Sequence, residues 1–379
     1  CMDTDFLIVG AGMAGASLAF FLSQHARVVV LERESQPGYH TTGRSAALFA
    51  ESYGTDQVRA LTVASRPFFE APPDGFAEAP LLSSRGALFV GTPDQTGELD
   101  ALFATLRRQS DLMRRLDVAA VLELVPVLEP SRLAGGVLDP LAADMDVHAI
   151  HQGFLRGVRA RGGTIVIDAD VTAIRREGPR WRVDAGGESY TAGVLVNAAG
   201  AWADVVAALA GVAPIGLVPK RRSAFTFDPP DLKGWACWPT VIGVDESYYF
   251  KPDAGQMLGS PANAGPVAAY DVEAEEEDVA TGIWRIEEAT SLRIRRPRHT
   301  WAGLRSFVAD GDLVGGFDAA APGFFWCAAQ GGYGIQTAPA MGEVCAALAL
   351  RRPVPEHLAA FGLTQEMLAP DRPALRIRA

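Results

Sequence analysis

Short apolar runs alternate with amphipathic stretches along the chain. Phe6-Leu7-Ile8-Val9 is β-rich and is followed by Gly10, Gly12 and Gly15 and an alanine-rich stretch over 13–24. That order predicts a strand, a glycine turn and a helix. Arg27-Val28-Val29-Val30-Leu31-Glu32 predicts the next strand. Residues 144–161 carry a helical period, and Gly162-Gly163 leads from there into a strand over 164–167. Further strands are predicted around 86–91, 221–227, 240–244 and 248–260, the last pair turning at Pro252-Asp253-Ala254-Gly255. Val194-Leu195-Val196-Asn197-Ala198-Ala199-Gly200-Ala201-Trp202 reads as an apolar strand running into small residues. Residues 323–337 read as a buried strand, a glycine turn and the start of a helix reaching position 350. Interleaved strands and helices with a hairpin-rich middle predict an α/β fold, without internal repeats.

Composition narrows the function. Residues 6–23 lack a formal charge over 18 positions, the length of a membrane span. Asp3 and Asp5 precede them and three glycines interrupt them, so no membrane span is expected. The 379 residues are 49% hydrophobic, enough for two or three domains or one interleaved unit. The net charge of −11 argues against a nucleic-acid partner. Cys1, Cys237, Cys327 and Cys345 form no C-x-x-C pair, which fits a reducing, cytoplasmic setting and leaves peripheral membrane association open. Cys1, which precedes Met2, carries no inference. His148 and His151 lack a third ligand in register, so no metal site is expected. The acidic run 271–278 and the basic run 293–298 read as solvated surface, with mutual pairing open.

Gly10-Ala11-Gly12-Met13-Ala14-Gly15 matches G-x-G-x-x-G directly after a predicted strand. Glu32 ends the next strand about twenty residues on, as in a dinucleotide site. Gly10 permits the turn, Gly12 lets backbone approach a pyrophosphate, and Gly15 lets the helix pack close to the sheet. The helix start at Met13 and Ala14 turns N–H groups toward the phosphates. Glu32 can accept hydrogen bonds from a ribose diol and would repel a 2′-phosphate, which leaves NAD or FAD. Residues 36–47 read as a loop leading into a helix start. That loop either presents N–H groups to phosphate or flavin, or is ordinary surface.

Longer segments go further. They are Gly38-Tyr39-His40, Thr42-Gly43-Arg44-Ser45-Ala46-Ala47, Pro219-Lys220-Arg221-Arg222-Ser223-Ala224-Phe225, Lys251-Pro252-Asp253-Ala254-Gly255, Thr300-Trp301-Ala302-Gly303-Leu304-Arg305-Ser306-Phe307 and the glycine turn over 328–337, Ala328-Ala329-Gln330-Gly331-Gly332-Tyr333-Gly334-Ile335-Gln336-Thr337. Together with the fingerprint they resemble the D-amino-acid oxidase superfamily of FAD enzymes, and within it the bacterial D-arginine dehydrogenases, over nearly the whole chain. The resemblance implies a Rossmann-like FAD-binding domain of glutathione-reductase type over 1–50, 144–215 and 303–379. It implies a mainly antiparallel substrate domain over 51–143 and 216–302. FAD, held non-covalently, would meet the fingerprint glycines with Met13 and Ala14, then Glu32, Arg33 and residues 42–47. It would also meet Val171, Ala199, Gly200, Trp202, Arg305 and residues 331–336. The implied reaction moves hydride from the Cα of a D-amino acid to flavin N5. The imino acid then hydrolyses to a 2-oxo acid and ammonia. The acceptor that reoxidises the enzyme (quinone, electron-transfer protein or oxygen) stays open.

Arg222 and Arg305 stand in otherwise apolar segments, where a guanidinium needs an anionic partner. From the residues alone, a structural ion pair and a grip on a substrate carboxylate weigh equally. The resemblance favours the grip. Arg221 points the opposite way in a strand and is given no such role. The resemblance also implies that Tyr53 and Tyr249 close the pocket and hydrogen-bond the substrate. Gly332 would offer its carbonyl to the amine, and Gln336 a polar contact near the flavin. Leu48 and Ala87 stand where D-arginine dehydrogenases carry a histidine and an acid for the substrate's cationic end. Neutral or apolar D-amino acids are therefore expected, with Glu51 or Glu246 still able to supply a charge. The alternatives are a glycine- or sarcosine-type oxidase using oxygen, a D-arginine dehydrogenase proper, or a flavin-binding protein without turnover.

Overall fold

Three sheets organise residues 2–375, the part of the chain described in a computed structural model. Cys1 lies outside it. In the first sheet, Met2–Val9 pairs in parallel with Val28–Leu31 on one side and with Glu188–Asn197 on the other. Thr164–Val166 and Phe324–Ala328 extend the parallel array outward. Strands covered on both faces need side chains that are apolar in both directions, which is why these runs are unbroken rather than alternating. The helices Met13–Leu22, Val147–Ala160 and Ala338–Ala349 bury one face. The strands Val171–Glu177 and Arg180–Ala185 continue the sheet antiparallel from Glu188–Asn197 and, with the helix Ala203–Leu209, enclose the core on the other face.

The second sheet is built around Val218–Phe227, which pairs antiparallel with His299–Phe307 and with Gln256–Ser260. Beyond Gln256–Ser260 follow Tyr249–Asp253, Thr240–Gly243, Ala87–Val90, Gly136–Asp139 and Arg114–Leu116. Every pairing in this sheet is antiparallel except Thr240–Gly243 with Ala87–Val90. Leu48–Phe49, Ala143–Met145 and Leu82–Ser84 form a small third sheet.

Two expectations need correction. Position 303 falls inside His299–Phe307, all of which pairs in the second sheet, so the chain crosses back to the first only after Phe307. Residues 36–47 do not open a helix. A four-residue 3-10 turn, Thr41–Arg44, gives way to Ala47 at φ +41° and the strand Leu48–Phe49. That left-handed backbone cannot extend a right-handed helix, and the next one begins at Asp56. Among the described residues no helix is long and apolar enough to cross a membrane.

Candidate active site

One continuous cleft runs from the fingerprint turn to the paired arginines of the second sheet. At its first end Gly10 sits at φ +105°, and a Cβ there would stand 2.4 Å from the Ala198 carbonyl oxygen. A Cβ on Gly15 would stand 1.8 Å from the Gly10 carbonyl oxygen, so only glycine lets this helix start so close to the turn. Gly12, Met13 and Ala14 face the cleft. Glu32 accepts from the backbone N–H groups of Ala11 and Glu34 at 3.0 Å each, which aims its carboxylate along the cleft wall. His151 lies beneath the turn and donates from Nε2 to the Ala11 carbonyl at 2.8 Å. Burial holds its imidazole below the usual histidine range, so the ring is neutral at pH 7.

Arg33, Ala46, Val171, Ala199, Gly200 and Trp202 line the same cleft. The Arg33 guanidinium stacks 4.3 Å above the Trp202 ring. Val205 and Leu209, both exposed, add an apolar wall that the sequence reading missed. The signal was present, since Ala203–Leu209 carries a single charged residue and so has little polar face to turn outward. Thr42, Arg44 and Ser45 also line the cleft, but the Arg44 side chain is committed elsewhere. It reaches Asp271 at 2.6 Å and the Val272 carbonyl at 2.8 Å, clasping the 38–46 loop to the far domain. The runs 271–278 and 293–298 therefore do not pair as units: Asp271 takes Arg44, while Glu275 and Asp278 take Arg221.

The strand register brings the arginines together. Lys220 lies opposite Arg305 and Arg222 opposite Gly303, so Arg222 and Arg305 share a sheet face while Arg221 turns away. Arg222 donates from Nε to the Asn263 carbonyl at 2.7 Å, and Arg305 donates from Nη1 to the Tyr53 hydroxyl at 3.4 Å. Neither has a carboxylate within ion-pair distance among the described residues. Burial, reinforced by the neighbouring Arg305 charge, pushes the Arg222 guanidinium below its ordinary value. Two cations side by side on one sheet face at the end of a cleft, each short of an anion among the described residues, constitute an anion site.

Tyr249 lines the cleft beside them, whereas Tyr248 packs into the core of the second sheet. Tyr53 meets the Tyr333 ring at 5.1 Å between centroids. Gly331, Gly332, Gly334 and Ile335 line the cleft, and Ala338–Ala349 follows within one turn. Gly15, Gly43, Ala47, Tyr53 and Tyr333 are absent from that lining, as is Gln336. The expected flavin contact of Gln336 is corrected: its amide is buried between Ala50 and the Thr62 hydroxyl. Glu51 is held by Arg66, while Glu246 stays exposed on the turn before Tyr249. Leu48, Ala87, Phe89, Ile242 and Val244 make the neighbouring cluster apolar.

A family model described as FAD dependent oxidoreductase matches residues 5–348. The chain belongs to that family. It is 23% identical over 378 residues to the glycine oxidase of Geobacillus kaustophilus, covering 96% of this chain and 97% of that one. It is 25% identical to the sarcosine oxidase subunit beta of Rhizobium meliloti, covering 82% of this chain and 76% of the relative. The mitochondrial dimethylglycine dehydrogenase of Rattus norvegicus is 22% identical over 261 residues, and this chain spans 30% of its length. Among solved structures, the Geobacillus glycine oxidase superposes with a TM-score of 0.82 at 21% identity, covering 96% of this chain and 99% of that one. An L-proline dehydrogenase from P. horikoshii superposes with a TM-score of 0.81 at 20% identity, covering 92% and 94%.

FAD is the cofactor, and the cleft fits it. Glu32 would accept from a ribose diol, the glycines would let a pyrophosphate approach the backbone, and Val171, Val205 and Leu209 offer an apolar wall along the same cleft. The opposite end opens at Gly331–Gly334 beside the two arginines.

Proposed function

We propose that the protein oxidises neutral or apolar D-amino acids to imino acids, which hydrolyse to 2-oxo acids and ammonia. The observation that carries this reading is the pair Arg222 and Arg305, without a carboxylate in ion-pair distance among the described residues and lining the end of the FAD cleft. Their planar groups grip the substrate carboxylate in two directions and so fix the position of Cα. Tyr249 lines the cleft and Tyr53 stands behind Arg305, and in this reading their hydroxyls meet the bound zwitterion. FAD, when bound, supplies the two-electron acceptor for the hydride that leaves Cα. The Gly332 carbonyl is suited to accept a hydrogen bond from the substrate amine.

The apolar preference rests on Leu48 and Ala87 and on the pairing of Glu51 with Arg66. A substrate guanidinium placed against that wall would have no partner other than the exposed Glu246, and without it would cost several kcal/mol if fully desolvated. The D configuration rests on the resemblance of the sequence segments. A second reading, a glycine or sarcosine oxidase using oxygen, is favoured by the full-length likeness to glycine oxidase. One panel decides between them: kcat/KM for D-methionine, D-leucine, D-phenylalanine, D-arginine, their L-forms, glycine and sarcosine, with an artificial electron dye and with peroxide release. A strong preference for D-arginine would falsify the apolar reading. Turnover of glycine or sarcosine alone, with peroxide, would establish the second.

A further inference from the structure

Tyr53 reaches Arg305 from a segment that has no regular structure of its own and so must be held by its neighbours. Ser52 before it and Thr55 two residues after it carry hydroxyls, and each hydroxyl is taken by a carboxylate distant in sequence. Ser52 Oγ donates to Asp139 Oδ2 at 2.7 Å, across 87 positions. Thr55 Oγ1 donates to Asp312 Oδ1, across 257 positions. Gln336 secures the start of the segment, accepting at Oε1 from the Ala50 N–H at 3.2 Å. Between the two hydroxyls lies only the dipeptide Tyr53-Gly54, with Gly54 at φ +92°.

Asp139 is fully buried and has no ion-pair partner among the described residues. A carboxylate is costly to bury without a cation, so what it holds matters. It holds the Ser52 hydroxyl and the Leu141 N–H, at 2.9 Å. Asp312 is anchored differently. Its N–H donates to Asp310 Oδ1 at 3.1 Å, and Asp310 takes both Nε and Nη2 of the buried Arg372, at 2.7 and 2.8 Å. Arg372 also donates to the Leu313, Leu368 and Ala369 carbonyls. One end of the segment is therefore fixed to the second sheet and the other to the C-terminal tail.

We propose that Asp139 and Asp312 are positioning residues that set the substrate site from both sides, through the hydroxyls of Ser52 and Thr55 that flank Tyr53. This inference rests on the D-amino-acid reading for its kinetic consequence, but not for its structural one. Releasing either hydroxyl lets Tyr53 swing off Arg305 without touching the FAD cleft. The loss then falls on substrate binding rather than on turnover of bound substrate.

The test uses FAD-loaded full-length enzyme and the variants Ser52→Ala, Thr55→Val, Thr55→Ser and Asp312→Ala. Amide hydrogen exchange of the 48–56 segment is measured beside KM and kcat for the best D-amino acid. Ser52→Ala, Thr55→Val and Asp312→Ala are each expected to speed exchange in that segment and to raise KM about tenfold with kcat within about twofold. Thr55→Ser, which keeps the hydroxyl, is expected to match the parent enzyme. Exchange of the 13–22 helix and FAD content serve as controls and stay constant. Unchanged exchange in both Ser52→Ala and Thr55→Val overturns the proposal, whatever the substrate proves to be. Faster exchange with an unchanged KM overturns it as well. Faster exchange in an enzyme whose parent turns over no D-amino acid upholds the bracing and sinks the D-amino-acid reading instead.

Discussion

The Arg305 guanidinium lies flat on the backbone of Gly332: a Cβ at position 332 would stand 2.8 Å from Nη1 and 2.9 Å from Cζ. Glycine is required there by the arginine rather than by its own dihedral angles. Gly332→Ala is therefore expected to displace Arg305 by about an ångström and lower kcat/KM for the amino acid by about 10²-fold. FAD content is expected to fall less than kcat/KM, because residues 10–15 and Glu32 at the other end of the cleft are untouched. Steady-state kinetics beside the flavin-to-protein absorbance ratio measure both.

Arg222 makes the complementary case. Its Nε is committed to Asn263, which leaves the outer nitrogens for the substrate carboxylate. Lysine keeps the charge but has neither the fork nor the anchored Nε. Arg222→Lys is expected to lose about 1.5–3 kcal/mol of binding, or about ten- to a hundredfold in kcat/KM. Substrates of different side-chain length should suffer alike, since the contact is to the group they share.

The clasp between Arg44 and Asp271 joins the FAD loop to the far domain, with Tyr39 adding a 3.1 Å hydrogen bond to the same carboxylate. The Arg44 hydrogen bond, opposed by a smaller burial effect, holds the Asp271 carboxyl below the usual range. A depressed carboxyl contributes stability that is complete above its unfolded pKa, about 3.9, and is lost only as pH falls through its lower folded value. Asp271→Asn is expected to weaken FAD binding modestly, about fivefold at most for so exposed a partner. In the parent enzyme this contribution should stay flat from pH 8 down to about pH 4. Titration of apoenzyme with FAD across that range checks both statements.

What could be read in advance follows from the range of the forces involved. The glycine fingerprint and the strand ending at Glu32 are local, and each glycine has a local steric reason, so they were legible. The separation of Arg222 from Arg221 follows from a period of two and was equally legible. Gln336 was misplaced because one residue's rotation at the start of a helix decides between cleft and core. Nothing between positions 329 and 338 encodes that Ala50 and Thr62 would be waiting there. The Arg44–Asp271 clasp and the carboxylates behind Ser52 and Thr55 span 227, 87 and 257 positions, and no periodicity carries information that far. The absence of ion-pair partners for Arg222 and Arg305 among the described residues is a fact of three-dimensional placement: Glu51 is taken by Arg66, and Glu246 stands on its turn beyond ion-pair distance.

Tyr333 sits against Tyr53 at the edge of the anion site, and burial pushes its hydroxyl up to about 12. It therefore stays neutral throughout the working range and cannot serve as the base that takes the substrate's ammonium proton. Under the proposed reaction the neutral amine is the reactive form, so kcat/KM should rise with pH through the pKa of the substrate itself. Tyr333→Phe is expected to leave that limb where it stands while changing the plateau. A limb that moves or disappears in this variant would show that the phenol, and not the substrate amine, governs the profile.

His151 provides the last test, because it joins the fingerprint turn to the Val147–Ala160 helix without meeting substrate. Its folded pKa lies below the ordinary value because burial disfavours the imidazolium. Above the unfolded pKa of about 6.5 both states are neutral and its contribution is complete. As pH falls below that value the unfolded chain gains a proton that the folded ring refuses, and stability drains away until the folded pKa is reached. Thermal stability of the FAD-loaded protein is thus expected to fall between pH 7 and pH 5. His151→Gln keeps a donor for the Ala11 carbonyl but cannot titrate. It should lower stability at pH 7, through looser packing beneath Gly38, and flatten this part of the profile. If the slope survives the substitution unchanged, another group governs acid stability and the neutral-ring account of the turn is wrong.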